Sequence, residues 1–136
     1  MSPIVTQSTV DSSQAGSLQL ALAAARTAWD NRARNIVVLD MRRESCYFDY
    51  FVIATGTSRR QMHAISEEID HTLEDELGDK RMGVEGYVSG NWILLDYGTV
   101  VIHLFDEETR NFYALEALWG GAKPIDLSEV IPAEES

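Results

Sequence analysis

The residues best placed for chemistry lie in one short turn, Thr55-Gly56-Thr57-Ser58-Arg59-Arg60. Free N–H groups at a helix start attract anions, and two arginines there strengthen the attraction. A nucleotidyltransferase begins from a similar Gly-Ser turn. It also needs two carboxylates a residue apart and a third further on, which hold the divalent metals that neutralise a triphosphate. Here the turn runs into Gln61, Met62 and His63, and no such pair follows. Asp40 and Asp49 lie on neighbouring expected strands but before the turn. A nucleotide site at Gly56–Ser58 stays the enzymatic alternative; an ordinary helix cap is the simpler reading.

The histidines add little. His63 and Glu67 stand one helical turn apart, a spacing compatible with metal ligation, yet a third ligand is not evident. His71 lies about 80° further round the same helix. His103 alternates with Val101 and Phe105 on one strand face, either as a buried, hydrogen-bonded histidine or as a polar contact at a binding face. Ser45, Cys46 and Ser58 have no base nearby in the chain. Neither catalysis, cofactor nor metal is expected.

Composition points elsewhere. The 136 residues carry 22 acidic and 11 basic side chains, a net charge of −11. That disfavours direct nucleic-acid binding, which rewards a basic surface, and suits a basic protein partner. One cysteine, Cys46, excludes an intramolecular disulfide and is expected as a small buried hydrophobe. Met1 to Ala25 holds no Lys or Arg, so no targeting signal is read there and a cytoplasmic protein is expected. No apolar run approaches the roughly 20 residues needed to cross a bilayer, so no membrane partner is expected.

The elements that must position these residues follow from periodicity. Residues 1–16, rich in Ser, Thr and Gln, are expected to form a disordered arm. A first helix over 17–33 would bury Leu18, Leu22, Ala25 and Trp29. Strands are expected at 35–41 and 47–54, antiparallel across a short polar link. Ser58 and Gln61 have the spacing of a capping box and open a helix over 59–77. Its stripe is Met62, Ile65, Ile69, Leu73 and Leu77, with Gly78 as the stop. Strands at 84–88, 91–96 and 100–105 follow, then a helix at 107–119 packing Phe112, Leu115 and Leu118 or Trp119, and a C-terminal tail over 123–136. The strand–helix–strand unit from 47 to 88 calls for a crossover connection. The fold class is a single α/β domain: a mixed five-stranded sheet flanked by helices, in the order α-β-β-α-β-β-β-α.

Several segments together resemble the ribosomal silencing factor (RsfS, or Iojap) family. They are Asp49 to Gln61, Gly83-Val84-Glu85-Gly86, Trp92 to Gly98, Val100 to Phe105, and Arg110 to Trp119. The resemblance spans about residues 18–122 and leaves out the two ends. It implies a nucleotidyltransferase-like fold without the catalytic carboxylates, in agreement with the missing pair. It also implies binding to the large ribosomal subunit through its protein L-fourteen, at the face that meets the small subunit. Such binding would sterically block subunit joining and repress translation. A homodimer of the free protein and a role in large-subunit assembly are further implications.

The contact is expected on the strand 91–97 and its flanking turns. Trp92, Leu94 and Asp96 share one face, and Ile93, Leu95 and Tyr97 the other. Ile93 and Leu95 are expected in the core, leaving Trp92 and Asp96 toward the partner with Tyr97 swung out at the turn. Leu94, Glu85 and His103 complete the expected partner-binding set. Trp92 could instead merely cover the sheet, and Asp96 and Glu85 could be ordinary solvated charges.

Overall fold

The structure, a computed structural model, describes residues 2–113 and 121–132, with side chains over 16–110 and 121–132. The elements are α1 (Ser2–Asp30), β1 (Arg34–Asp40), β2 (Tyr50–Gly56), α2 (Arg59–Asp70), β3 (Gly83–Glu85), β4 (Trp92–Asp96), β5 (Val100–Asp106), α3 (Glu107–Tyr113) and β6 (Lys123–Pro124). A π-helical stretch, His71–Glu76, extends α2. The strands form one sheet in the order β3-β4-β5-β2-β1-β6. β2 and β5 run parallel, and the remaining neighbours are antiparallel. The expected single α/β domain with a mixed sheet is present, with six strands rather than five.

The sixth strand corrects the reading of the tail. Leu39 pairs with Pro124 and Asp40 with Lys123, and the Ile125 N–H donates to the Val38 carbonyl at 2.8 Å. A proline is tolerated here because β6 is an edge strand. Ile131 is then buried, and Ile125, Leu127 and Val130 pack on the core. Residues 123–132 are therefore part of the folded unit; 133–136 lie outside the described residues.

The parallel partner of β2 also differs from the expected strand–helix–strand unit. β3, which follows the α2 region, lies at the far edge, with β4 and β5 between it and β2. Burial explains the exchange. β5 is buried from Val100 to Phe105 and suits the centre, whereas β3 is three residues long with Val84 and Glu85 exposed. β2, buried along its whole length, is covered on both faces as its apolar run requires.

α1 and α2 cover the first face. In α1 the innermost residues are Ala21, Ala24, Ala25 and Ala28, each fully buried. Leu18 and Trp29 flank them, half-buried. Of the expected stripe Leu18, Leu22, Ala25 and Trp29, Ala25 is fully buried and the larger three are half-buried, because small side chains let a helix approach the sheet more closely. The helical backbone also begins at Ser2, where an arm was expected; Pro3 falls in the first turn, where its missing N–H costs no hydrogen bond. Met62, Ile65, Ile69 and Leu73 form the buried stripe of the α2 region as expected. Leu77 does not. The π-helical stretch alters the 3.6-residue period, and Leu77 is exposed just before Gly78 (φ +74°) ends the helix.

The second face carries Leu39, Met41, Phe51, Ile53, Val101 and Phe105, with Trp92 and Leu94 packed at its margin. α3 leads onto this face: the Arg110 guanidinium, buried, donates to Thr55 Oγ1 at 2.7 Å. The expected inward set Phe112, Leu115, Leu118 and Trp119 falls outside the side chains described. Cys46, expected buried, is exposed in the β1–β2 link.

Candidate functional site

Strand register assembles the site on the second face, at the β3–β4 margin. Leu94 stands opposite Glu85 on one side and His103 on the other, and Trp92 stands opposite Phe105. Ile93 and Leu95 point to the first face and are fully buried. Trp92, Leu94 and Asp96 are half-buried on the second, and Glu85 is exposed beside them. These four form a strip along the sheet margin. Val84, 37% exposed, stands opposite Leu95 and so belongs to the first face, beside Asp70 and Tyr87.

Trp92 is held from several directions. Its ring packs on Phe105 with centroids 4.9 Å apart. Its indole N–H donates to His103 Nδ1 at 3.2 Å. Its backbone lies against Gly86, where an added Cβ would collide with the Trp92 carbonyl oxygen, and φ is +76°. Only glycine meets both conditions without strain. The neighbouring Asn91 carbonyl accepts from the Asp106 N–H at 3.0 Å, tying the start of β4 to the end of β5.

That indole bond fixes the state of His103. An indole N–H only donates, so Nδ1 must accept and the ring proton sits on Nε2. His103 is 5% exposed, and burial pushes its pKa down to about 4, so the ring is neutral. Phe51 meets it edge-on with centroids at 4.7 Å, and Nε2 has no hydrogen-bond partner among the described residues. Of the two readings open for His103, the structure selects the buried, hydrogen-bonded histidine.

Tyr97 is a correction. It is 4% exposed and belongs to the first-face core, with its hydroxyl donating to Asp70 Oδ1 at 2.8 Å. Burial, and then that carboxylate, drive its pKa well above the ordinary phenol value. The strand alternation simply continues through the turn and keeps Tyr97 with Ile93 and Leu95. Asp96 turns part of its charge inward, its Oδ1 accepting from the Gly98 N–H at 2.8 Å in an Asx turn.

The Gly56–Ser58 turn behaves as a cap. Ser58 Oγ accepts from the Gln61 N–H at 3.1 Å. The Gln61 amide oxygen accepts from the Thr57 N–H and hydroxyl, one residue before the expected capping-box partner. Its nitrogen donates to the Asn31 and Arg32 carbonyls, pinning the α1–β1 turn.

His63 and Glu67 are likewise occupied with structure. His63 Nε2 is 2.6 Å from the Tyr87 carbonyl, the two rings stack with centroids 4.1 Å apart, and the Tyr87 hydroxyl donates to Glu67 Oε2. This strap on the loop before β4 escaped the sequence reading; a tyrosine after Gly86 gave no local sign of its partners. Among the described residues no group of three or more His, Cys, Asp or Glu could hold a metal ion, and no helix is long and apolar enough to cross a membrane.

The comparisons with known proteins converge on one family. Residues 14–136 match the family described as "Ribosomal silencing factor during starvation", so the match includes the C-terminal segment that the resemblance had left out. The chain is 38% identical over 114 residues to a ribosomal silencing factor from Halalkalibacterium halodurans, covering 84% of this chain and 94% of that one. It is 42% identical over 104 residues to the factor from Bacillus subtilis, covering 76% and 87%. A crystal structure of a protein from Chromobacterium violaceum superposes with a TM-score of 0.73 at 35% identity, over 80% of this chain and 90% of that one. With its fold and these relatives in agreement, the chain belongs to the ribosomal silencing factor family.

Proposed function

We propose that this protein binds the large ribosomal subunit through its protein L-fourteen and sterically keeps the small subunit away, repressing translation in the cytoplasm. The contact in this reading is the strip Trp92, Leu94, Glu85 and Asp96. The observation that carries it is Trp92, a large side chain half-buried at the sheet margin and fixed from below by Phe105 and His103. Rigid aromatic anchors of this kind dominate interface energies, since they bury much area at little ordering cost. A net charge of −11 complements a basic ribosomal protein and opposes contact with RNA phosphates. The reading is non-enzymatic: no carboxylate pair follows the 55–60 turn, and the Thr57 and Gln61 N–H groups there serve a helix cap.

Sedimentation with isolated 50S subunits, followed by addition of 30S subunits, tests it. Comigration with 50S and a reduced 70S peak is the expected result. Failure to bind 50S at micromolar protein would refute it.

A further inference from the structure

A histidine at position 103 carries a cost in stability. The ring is enclosed by Phe51, Phe105 and Trp92, at centroid distances of 4.7, 6.3 and 6.0 Å. Its Nδ1 accepts the Trp92 indole N–H, which forces the proton to Nε2 and leaves that N–H buried with no acceptor among the described residues. An unsatisfied buried donor costs free energy, and a phenylalanine would fill much the same space without it. What histidine supplies, and an apolar residue cannot, is an acceptor beneath the indole.

That acceptor adds to the constraints on one side chain. The Trp92 backbone is fixed by the close approach of Gly86, and Phe105 supports the face of its ring. A ring-face contact is met equally by two opposite orientations of the indole, and the bond to His103 selects one of them because the indole has a single N–H. We propose that His103 is a positioning residue for docking: it presets the Trp92 rotamer that meets the ribosomal partner, and does so without touching that partner, being 5% exposed. The inference rests on the reading of Trp92 as a docking contact. It adds that part of the affinity comes from ordering the anchor before encounter, which lowers the cost of fixing it on binding.

Two substitutions in the full-length chain separate positioning from packing. His103→Phe keeps an aromatic ring and removes the acceptor. His103→Asn places an amide oxygen on Cγ, the atom that carries Nδ1, and so restores an acceptor near the same point. Three readouts are taken: hydrogen exchange of the Trp92 indole N–H in the free protein (assigned with Trp92→Phe), the apparent Kd for isolated 50S subunits, and the thermal midpoint. For His103→Phe, indole exchange is expected to rise and 50S affinity to fall about tenfold, the weight of ordering one large side chain. Its midpoint is expected to stay level or rise, and His103→Asn is expected to recover most of the exchange protection and the affinity.

Unchanged 50S affinity in His103→Phe, with the wild type binding normally, overturns the positioning role and leaves the proposed function standing. Affinity that falls only in step with the midpoint, unrescued by His103→Asn, overturns it in favour of plain packing. A wild type that fails to bind 50S while its indole N–H is protected removes the proposed function, and the docking role with it.

Discussion

Acidification should unfold this protein in a way traceable to one ring. His103 has its pKa pushed from the ordinary 6.5 down to about 4 by burial, whereas in the unfolded chain it returns to the ordinary value. Above pH 6.5 the ring is neutral in both states and contributes no pH dependence. As pH falls below 6.5 the unfolded chain takes up a proton that the native state refuses, so stability is lost. The loss is complete near pH 4, where the native ring titrates too. At about 1.4 kcal/mol per unit the full effect is about 3 kcal/mol, a large share of the 5–15 kcal/mol that holds a typical domain together. Urea unfolding followed by circular dichroism between pH 7.5 and 4 would measure it, with His103→Phe run in parallel. Asp40, held below the usual carboxylate range by Arg42, also favours neutral pH, but it is common to both proteins and cancels in the comparison. The wild type should lose about 3 kcal/mol more than the variant across this range. Parallel curves for the two proteins would refute the neutral, buried assignment.

Trp92→Ala is expected to weaken 50S binding by about 2 kcal/mol or more, roughly 30-fold, with the circular dichroism spectrum unchanged; normal comigration with 50S would place the docking face elsewhere. Gly86→Ala should cost at least about 1–3 kcal/mol in thermal or urea unfolding, because it combines a positive φ with a collision against the Trp92 carbonyl. Tyr97→Phe removes a hydrogen bond to a carboxylate and should cost about 2 kcal/mol of stability, while 50S affinity stays unchanged because the side chain is buried on the first face.

Much of the candidate site's strand geometry is legible in local pattern, and the departures from that reading share a cause. Alternation along residues 91–97 placed Ile93 and Leu95 inward and Trp92 outward correctly, since a strand's period of two is a property of its own backbone. The same rule, trusted through the turn, would have kept Tyr97 inside. A turn residue is free to swing out, and the Asp70 carboxylate that draws the hydroxyl inward lies 27 positions away in the chain. His103 stayed undecided for a similar reason, as its meaning depends on the indole of a residue on the adjacent strand.

The sequence by itself determined the family, the existence of the main elements, the Ser58 cap, the Met62–Leu73 stripe and the absence of a carboxylate pair after the 55–60 turn. All of these are readable within a few residues, the reach of helical and strand periods and of capping bonds. Only the tertiary structure decided that β5 rather than β3 lies beside β2, and that the segment after Lys123 closes the sheet beside β1. It also decided that Ala21, Ala24 and Ala28 join Ala25 as the inner face of α1, and that His103 turns its Nδ1 to Trp92. Each of these is a pairing between distant parts of the chain. Such pairings are set by which surfaces bury one another best, a competition that local spacing does not encode.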